Sequence, residues 1–81
     1  MIDEKNYNYI LQLQRFEQKL NWELSSVDFL KFIEIYEMTQ GQTVCTSCKS
    51  DLSKAKLILT NWKNDLINQY NIDISELNSK I

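Results

Sequence analysis

Apolar residues recur three and four positions apart near the start of the chain, and this pattern predicts an amphipathic helix from about Asp3 to Asn21. A spacing of three and four places side chains on one face of a helix. Asp3 and Glu4 stand where the helix dipole favours negative charge. The predicted apolar stripe consists of Ile10, Leu13, Phe16 and Leu20.

A second helix is predicted to begin with an N-cap at Ser25 or Ser26 and to end at Gly41. A serine followed by an acidic residue, here Asp28, is typical of a helix start. Glycine tolerates the left-handed conformation in which many helices end. The apolar stripe is wider than one coiled-coil seam, which predicts a central helix with two neighbours. From Val27 onward it contains Phe29, Leu30, Phe32, Ile33 and Tyr36.

A third helix has the most regular pattern, a heptad register in which only the last member is polar. Its start is predicted at an N-cap formed by Thr46 or Ser47. Ile58, Ile67 and Tyr70 widen the stripe. The heptad positions are Cys48, Leu52, Ala55, Leu59, Trp62, Leu66 and Gln69.

The chain after Tyr70 is predicted to be a short extension with one helical turn, capped at Asp73 or Ser75. One glycine and no proline leave few obligatory breaks and favour long helices. A hydrophobic share of 43% and a charged share of 25% are ordinary for a globular domain. The sequence therefore predicts an all-α fold, a small antiparallel three-helix bundle with a short C-terminal extension, in one domain spanning residues 1–81.

Charge and composition exclude several classes of function. The net charge is −2, and Arg15 is the single arginine among nine basic residues, so nucleic acid is disfavoured as a partner. The absence of histidine removes the commonest general base and the commonest metal ligand. No apolar run has the length of a membrane span, and the polar N-terminal residues do not resemble a signal peptide. We therefore expect a cytoplasmic protein with reduced cysteines.

Cys45 and Cys48 form a C-x-x-C pair for which three interpretations exist. A structural zinc site needs four ligands, and this chain supplies one pair, so a complete site would have to be shared between two copies of the chain, as in zinc-hook dimers. A thioredoxin-like redox pair lies at a helix N-terminus, but it follows a β-strand, and no strand pattern is visible. We favour the third interpretation, in which the segment caps a helix and Cys48 is a buried, small hydrophobic residue. It predicts no metal or other cofactor.

Surface positions supply the remaining candidates for a site. Lys49, Lys56 and Lys63 recur every seven residues and would line one helix face, suited to phosphate or to an acidic partner, although a solvated face is the simpler interpretation. Tyr7 and Trp22 fall outside the apolar stripes, and exposed aromatic residues often mark protein interfaces. These five residues are the predicted interaction positions.

Two segments, "IYEMTQGQTVCTSC" and "LILTNWKNDL", carry a resemblance to a known group of proteins. The pattern is a tyrosine, a Thr-x-Gly turn, one or two cysteines and a lysine-bearing helix. From Ile35 to Leu66 the chain resembles the small cysteine-bearing helical proteins of crAss-like tailed bacteriophages, which infect Bacteroidetes. The resemblance implies a viral accessory or virion component without enzymatic activity, and it supplies no catalytic residue.

The predicted function is that of a non-enzymatic protein-interaction subunit, a structural or accessory component of a bacteriophage particle. Its partners would be proteins, including copies of itself in a symmetric assembly. Its location would be the host cytoplasm, or the virion. Two alternatives stay open: a small viral inhibitor of a host defence protein, and a zinc-linked dimer or thiol-active protein that uses Cys45 and Cys48.

Overall fold

A computed structural model describes residues 2–19, 24–45 and 47–81 of the chain, and these residues fold into helices without any strand. The all-α class and the helical bundle predicted from the sequence are confirmed. The helices are α1 (Glu4–Glu17), α2 (Ser26–Gln40), α3 (Lys49–Gln69) and α4 (Ile74–Ser79).

Short capping interactions fix both ends of α2. The Ser25 hydroxyl accepts a hydrogen bond from the backbone N–H of Asp28 at 3.2 Å, so Ser25 is the N-cap of α2. Gly41 ends α2 in the left-handed conformation, with φ of 68°, as predicted for a glycine at the end of a helix. Helix α1 ends at Glu17, earlier than the predicted Asn21. Leu20, the last member of the predicted first stripe, lies outside the described residues.

One apolar core joins α1, α2 and α3. Its side chains come from positions three and four apart on each helix, so each helix contributes one face. Leu13, Phe16, Phe32 and Leu59 are buried as the predicted stripes require, whereas Ile58 and Tyr70, which were predicted to widen the third stripe, are exposed. Ile35 was absent from the predicted set. The fully buried members of this core are Leu13, Phe16, Phe32, Ile35, Ala55 and Leu59.

Helix α1 is the central helix, because it packs against each of the other three. The sequence-based prediction that α2 is central is wrong. Phe32, Ile35 and Tyr36 of α2 are buried, but the apolar residues Val27 and Leu30 on the opposite side of this helix are exposed. The width of the predicted stripe therefore came from two separate faces, of which one packs inside the bundle.

A second, smaller core holds the C-terminal residues against α1. Ile10 of α1, Ile67 of α3 and Leu77 of α4 are buried together. Asp73 caps α4 by accepting a hydrogen bond from the backbone N–H of Ser75 at 2.9 Å. The extension is thus a fourth helix of six residues rather than one turn, because burial of Leu77 stabilises it.

An ion-pair group at the start of α2 joins this helix to the end of α1. The Asp28 carboxylate accepts hydrogen bonds from Arg15 at 2.8 Å and from Lys19 at 2.6 Å. These hydrogen bonds lower the pKa of Asp28 from 3.8 to about 2. A carboxyl group with a lowered pKa in the folded state stabilises the fold above its ordinary pKa, and this contribution is lost as the pH falls to about 2.

We expect Asp28→Asn to lower the melting temperature at neutral pH, because both cationic partners lose their carboxylate. The variant should also lose less stability than the wild type between about pH 4 and about pH 2, since the titrating group is gone. Thermal melts followed by circular dichroism across this range measure both effects. Asp65→Asn, at an exposed position of α3, is the control. If the melting temperatures of the wild type and Asp28→Asn fall in parallel with pH, the ion pairs of Asp28 do not stabilise the fold as described.

Candidate functional site

The predicted lysine face is not a continuous surface. Lys49 is exposed and Lys56 is half-buried, but Lys63 is only 3% exposed. The Lys63 ammonium donates a hydrogen bond to the Gln14 side-chain oxygen at 2.8 Å and forms an ion pair with Glu17. The prediction of Lys63 as an interaction residue is therefore wrong. Its side chain spans the contact between α3 and α1, with an apolar stem inside and a charged head at a partly exposed carboxylate.

The two predicted aromatic positions have different outcomes. Tyr7 is half-buried, and its hydroxyl accepts a hydrogen bond from the Lys80 ammonium at 2.8 Å. This hydrogen bond raises the pKa of Lys80, whose ammonium also lies 4.8 Å from the centre of the Tyr7 ring. Tyr7 thus holds the C-terminal residues against α1 and is not a free surface aromatic. Trp22 lies outside the described residues.

The outer face of α2 carries an exposed row of residues, which the apolar pattern of the sequence does not distinguish from the core stripe. Val27, Leu30 and Met38 are 76%, 69% and 56% exposed. Lys31 and Glu34 lie between them and form an ion pair at 2.9 Å. Spacings of three and four place all five residues on one side of the helix. We call this row, Val27, Leu30, Lys31, Glu34 and Met38, the outer α2 face.

The cysteines lie at the junction between α2 and α3. Cys48 is the N-cap of α3, and its side chain makes no capping hydrogen bond. Both cysteines are exposed and have free thiols. The predictions that Thr46 or Ser47 caps this helix and that Cys48 is buried are therefore wrong, and Thr46 itself lies outside the described residues. Because the helix starts at Lys49, Cys48 precedes the first turn that could carry it to the core.

Three potential ligand atoms converge at this junction. The Cys45 and Cys48 sulfur atoms are 2.6 Å apart, and these sulfur atoms and a carboxylate oxygen of Asp51 all lie within 4.8 Å of one another. The hydrogen bond with Cys48 lowers the pKa of Cys45. A second hydrogen bond, between the Cys45 sulfur and the Ser47 hydroxyl at 3.3 Å, also lowers it. The hydrogen bond between the two sulfur atoms raises the pKa of Cys48.

This group differs from both site types that the spacing suggested. A thioredoxin-like pair follows a β-strand, and residues 2–19, 24–45 and 47–81 form none. A zinc site shared between two chains would use four sulfur atoms, whereas the present group adds a carboxylate from the same chain. Asp51 was not predicted, since its distance from the thiols depends on where α3 begins.

Comparisons with known proteins gave no match. No protein-family model matches the chain, and no curated protein or solved structure matches it either. None of the described helices combines the length with the hydrophobicity that a membrane crossing requires. The fold thus defines a class, the small all-α bundles, with two surface features: the outer α2 face and the thiol–carboxylate group.

Proposed function

We propose that this chain is a non-enzymatic protein-interaction subunit that associates through the outer α2 face. The observation that carries the proposal is the exposure of Val27, Leu30 and Met38 on the side of α2 opposite the core. Apolar side chains grouped beside polar ones are a common feature of interaction surfaces. The inner face of α2 is already packed, so a partner at the outer α2 face would remove these side chains from water without disturbing the core.

The occupant that fits this face best is a second copy of the chain. Lys31 and Glu34 carry opposite charges one helical turn apart in the middle of the row. When two copies of such a face pack antiparallel about a two-fold axis, Lys31 of each copy lies near Glu34 of the other. The row is therefore complementary to itself both in apolar surface and in charge.

Weak association follows from the size of the face. Three exposed apolar side chains on one helix supply far less area than a standard stable interface. Burial of apolar surface contributes about 25 cal/mol per Å², and the cost of association offsets much of this gain. Many copies in a larger symmetric assembly would reinforce a contact that is weak in an isolated pair. The resemblance to crAss-like phage proteins adds a phage particle as the proposed assembly.

The test is a mass measurement on matched leucine variants. We expect the light-scattering mass of the wild type to rise from monomer towards dimer with concentration. Leu30→Glu should weaken this association more than about tenfold, because it places a carboxylate in the apolar row. Leu57→Glu should behave as the wild type, since Leu57 is similarly exposed, at 62%, but lies on α3.

Two results would overturn the proposal. One is a wild type that stays monomeric up to its solubility limit. The other is equal weakening by Leu30→Glu and Leu57→Glu, which would indicate a general effect of charge. Circular dichroism melts of both variants establish that each is folded under the conditions of the mass measurement.

A further inference from the structure

We propose that Cys45, Cys48 and Asp51 form a binding site for one zinc ion per chain. Their ligand atoms, two sulfur atoms and one carboxylate oxygen, all lie within 4.8 Å of one another. Both cysteines are exposed and free, so an ion can reach them from solvent. The site shares no residue with the outer α2 face, and the inference stands independently of the proposed function.

The start of α3 brings the three side chains together. Cys48 is the N-cap and Asp51 lies in the first turn, three residues later, so both side chains point to the same side of the helix start. The backbone N–H of Cys48 donates to the carbonyl oxygen of Cys45 at 3.3 Å, and this turn carries Cys45 back to the same point. A short, continuous segment thus supplies all three ligands.

The donor set selects a borderline-soft divalent cation. Thiolates favour zinc, whereas calcium and magnesium prefer sites made entirely of oxygen atoms. Zinc–sulfur bonds of about 2.3 Å in a tetrahedral site place two sulfur atoms about 3.8 Å apart. The present separation is 2.6 Å, so binding requires modest rotation of two exposed side chains. Zinc replaces the thiol protons, which pass to the buffer.

The carboxylate determines the stoichiometry. Three ligands from one chain leave the fourth tetrahedral position to water, and one chain then binds one ion. A zinc ion shared by two C-x-x-C pairs would instead need all four thiolates, no carboxylate and two chains per ion. The role of Asp51 therefore separates the present inference from a zinc-linked dimer.

The test is a titration of the reduced 81-residue chain with cobalt and then zinc. Cobalt should produce thiolate-to-metal charge-transfer bands and the visible absorption of a tetrahedral site, saturating at one ion per chain. Zinc should displace the cobalt and abolish these bands. Competition with a chromophoric chelator then measures the zinc affinity of each variant.

Three ligand variants and one control complete the experiment. Cys45→Ser and Cys48→Ser should each weaken zinc binding by more than about 100-fold, beyond the usual effect of an outer-shell group. Asp51→Asn should weaken it by about tenfold or more. Asp65→Asn removes an exposed carboxylate from the same helix and should leave the affinity unchanged. Circular dichroism of the metal-free variants verifies their folding.

Either of two outcomes would overturn the inference. The first is the absence of cobalt charge-transfer bands in the reduced wild type. The second is unchanged affinity in Asp51→Asn together with one zinc ion per two chains, which would identify a shared four-thiolate site.

Discussion

Leu59→Ala should destabilise the domain by about 2–5 kcal/mol, the range found when a large buried side chain is truncated to alanine. Leu59 is completely buried, and it belongs to the core that joins α3 to α1 and α2. Phe16 and Phe32, the largest fully buried side chains of that core, are held by their own helices and can fill only part of the cavity. Urea denaturation at neutral pH measures the change in the free energy of unfolding.

The matched control for this prediction is Leu57→Ala, two residues earlier on the same helix. Leu57 is mostly exposed, so its truncation should change the free energy of unfolding by less than about 0.5 kcal/mol. Both variants change the helix propensity equally, so the difference between their free energies of unfolding reports burial alone. A loss below about 1 kcal/mol for Leu59→Ala would mean that α3 does not pack as described.

The second large effect concerns the buried lysine. Glu17→Gln should destabilise the domain by about 1–3 kcal/mol, because the Lys63 ammonium would stay buried without its counter-charge. This loss is smaller than the full cost of breaking a buried ion pair, because the Glu17 side chain is 37% exposed and water screens its charge. Urea denaturation measures this loss, and adding Lys63→Met to Glu17→Gln should recover much of it.

Glu76→Gln is the control for the effect of Glu17. Glu76 pairs with Lys80 at 3.6 Å, and both side chains are exposed. Exposed pairs of this kind contribute little, so this variant should lie within about 0.5 kcal/mol of the wild type. Similar losses in Glu17→Gln and Glu76→Gln would show that the Lys63 pair behaves as an ordinary surface pair.

Local signals explain the parts of the fold that the sequence predicted. Helix α2 begins after Ser25 and ends at Gly41 through interactions that involve only nearby residues. The residue types at these two positions therefore suffice to predict the ends of the helix. Ile10, Leu13 and Phe16 lie on one face because of the helical repeat alone. Each of these features depends on residues within one or two turns of the chain.

Features that depend on contacts between helices were not predictable in the same way. Lys63 repeats with Lys49 and Lys56 and resembles a surface residue until α1 places Gln14 and Glu17 beside it. The two apolar sides of α2 gave one broad pattern, and only the packing of α2 in the bundle separates the buried side from the exposed one.

The sequence predicted two of the three ligands of the candidate zinc site. The C-x-x-C spacing identified both cysteines, but the predicted cap lay one or two residues before the real one at Cys48. That small shift decides whether Cys48 enters the core or stays at the surface. It also decides whether Asp51 lies in the first turn, beside the thiols. An error of this size at a helix end is common in assignment from sequence.

The central claim, that two copies pair through the outer α2 face, is tested most directly by exchanging charges between Lys31 and Glu34. Lys31→Glu alone and Glu34→Lys alone should each associate more weakly than the wild type, because like charges would meet across the two-fold axis. An equimolar mixture of the two variants should form a heterodimer at least as readily as the wild type forms a homodimer. Light scattering that shows no association in this mixture, under conditions where the wild type dimerises, would contradict the claim.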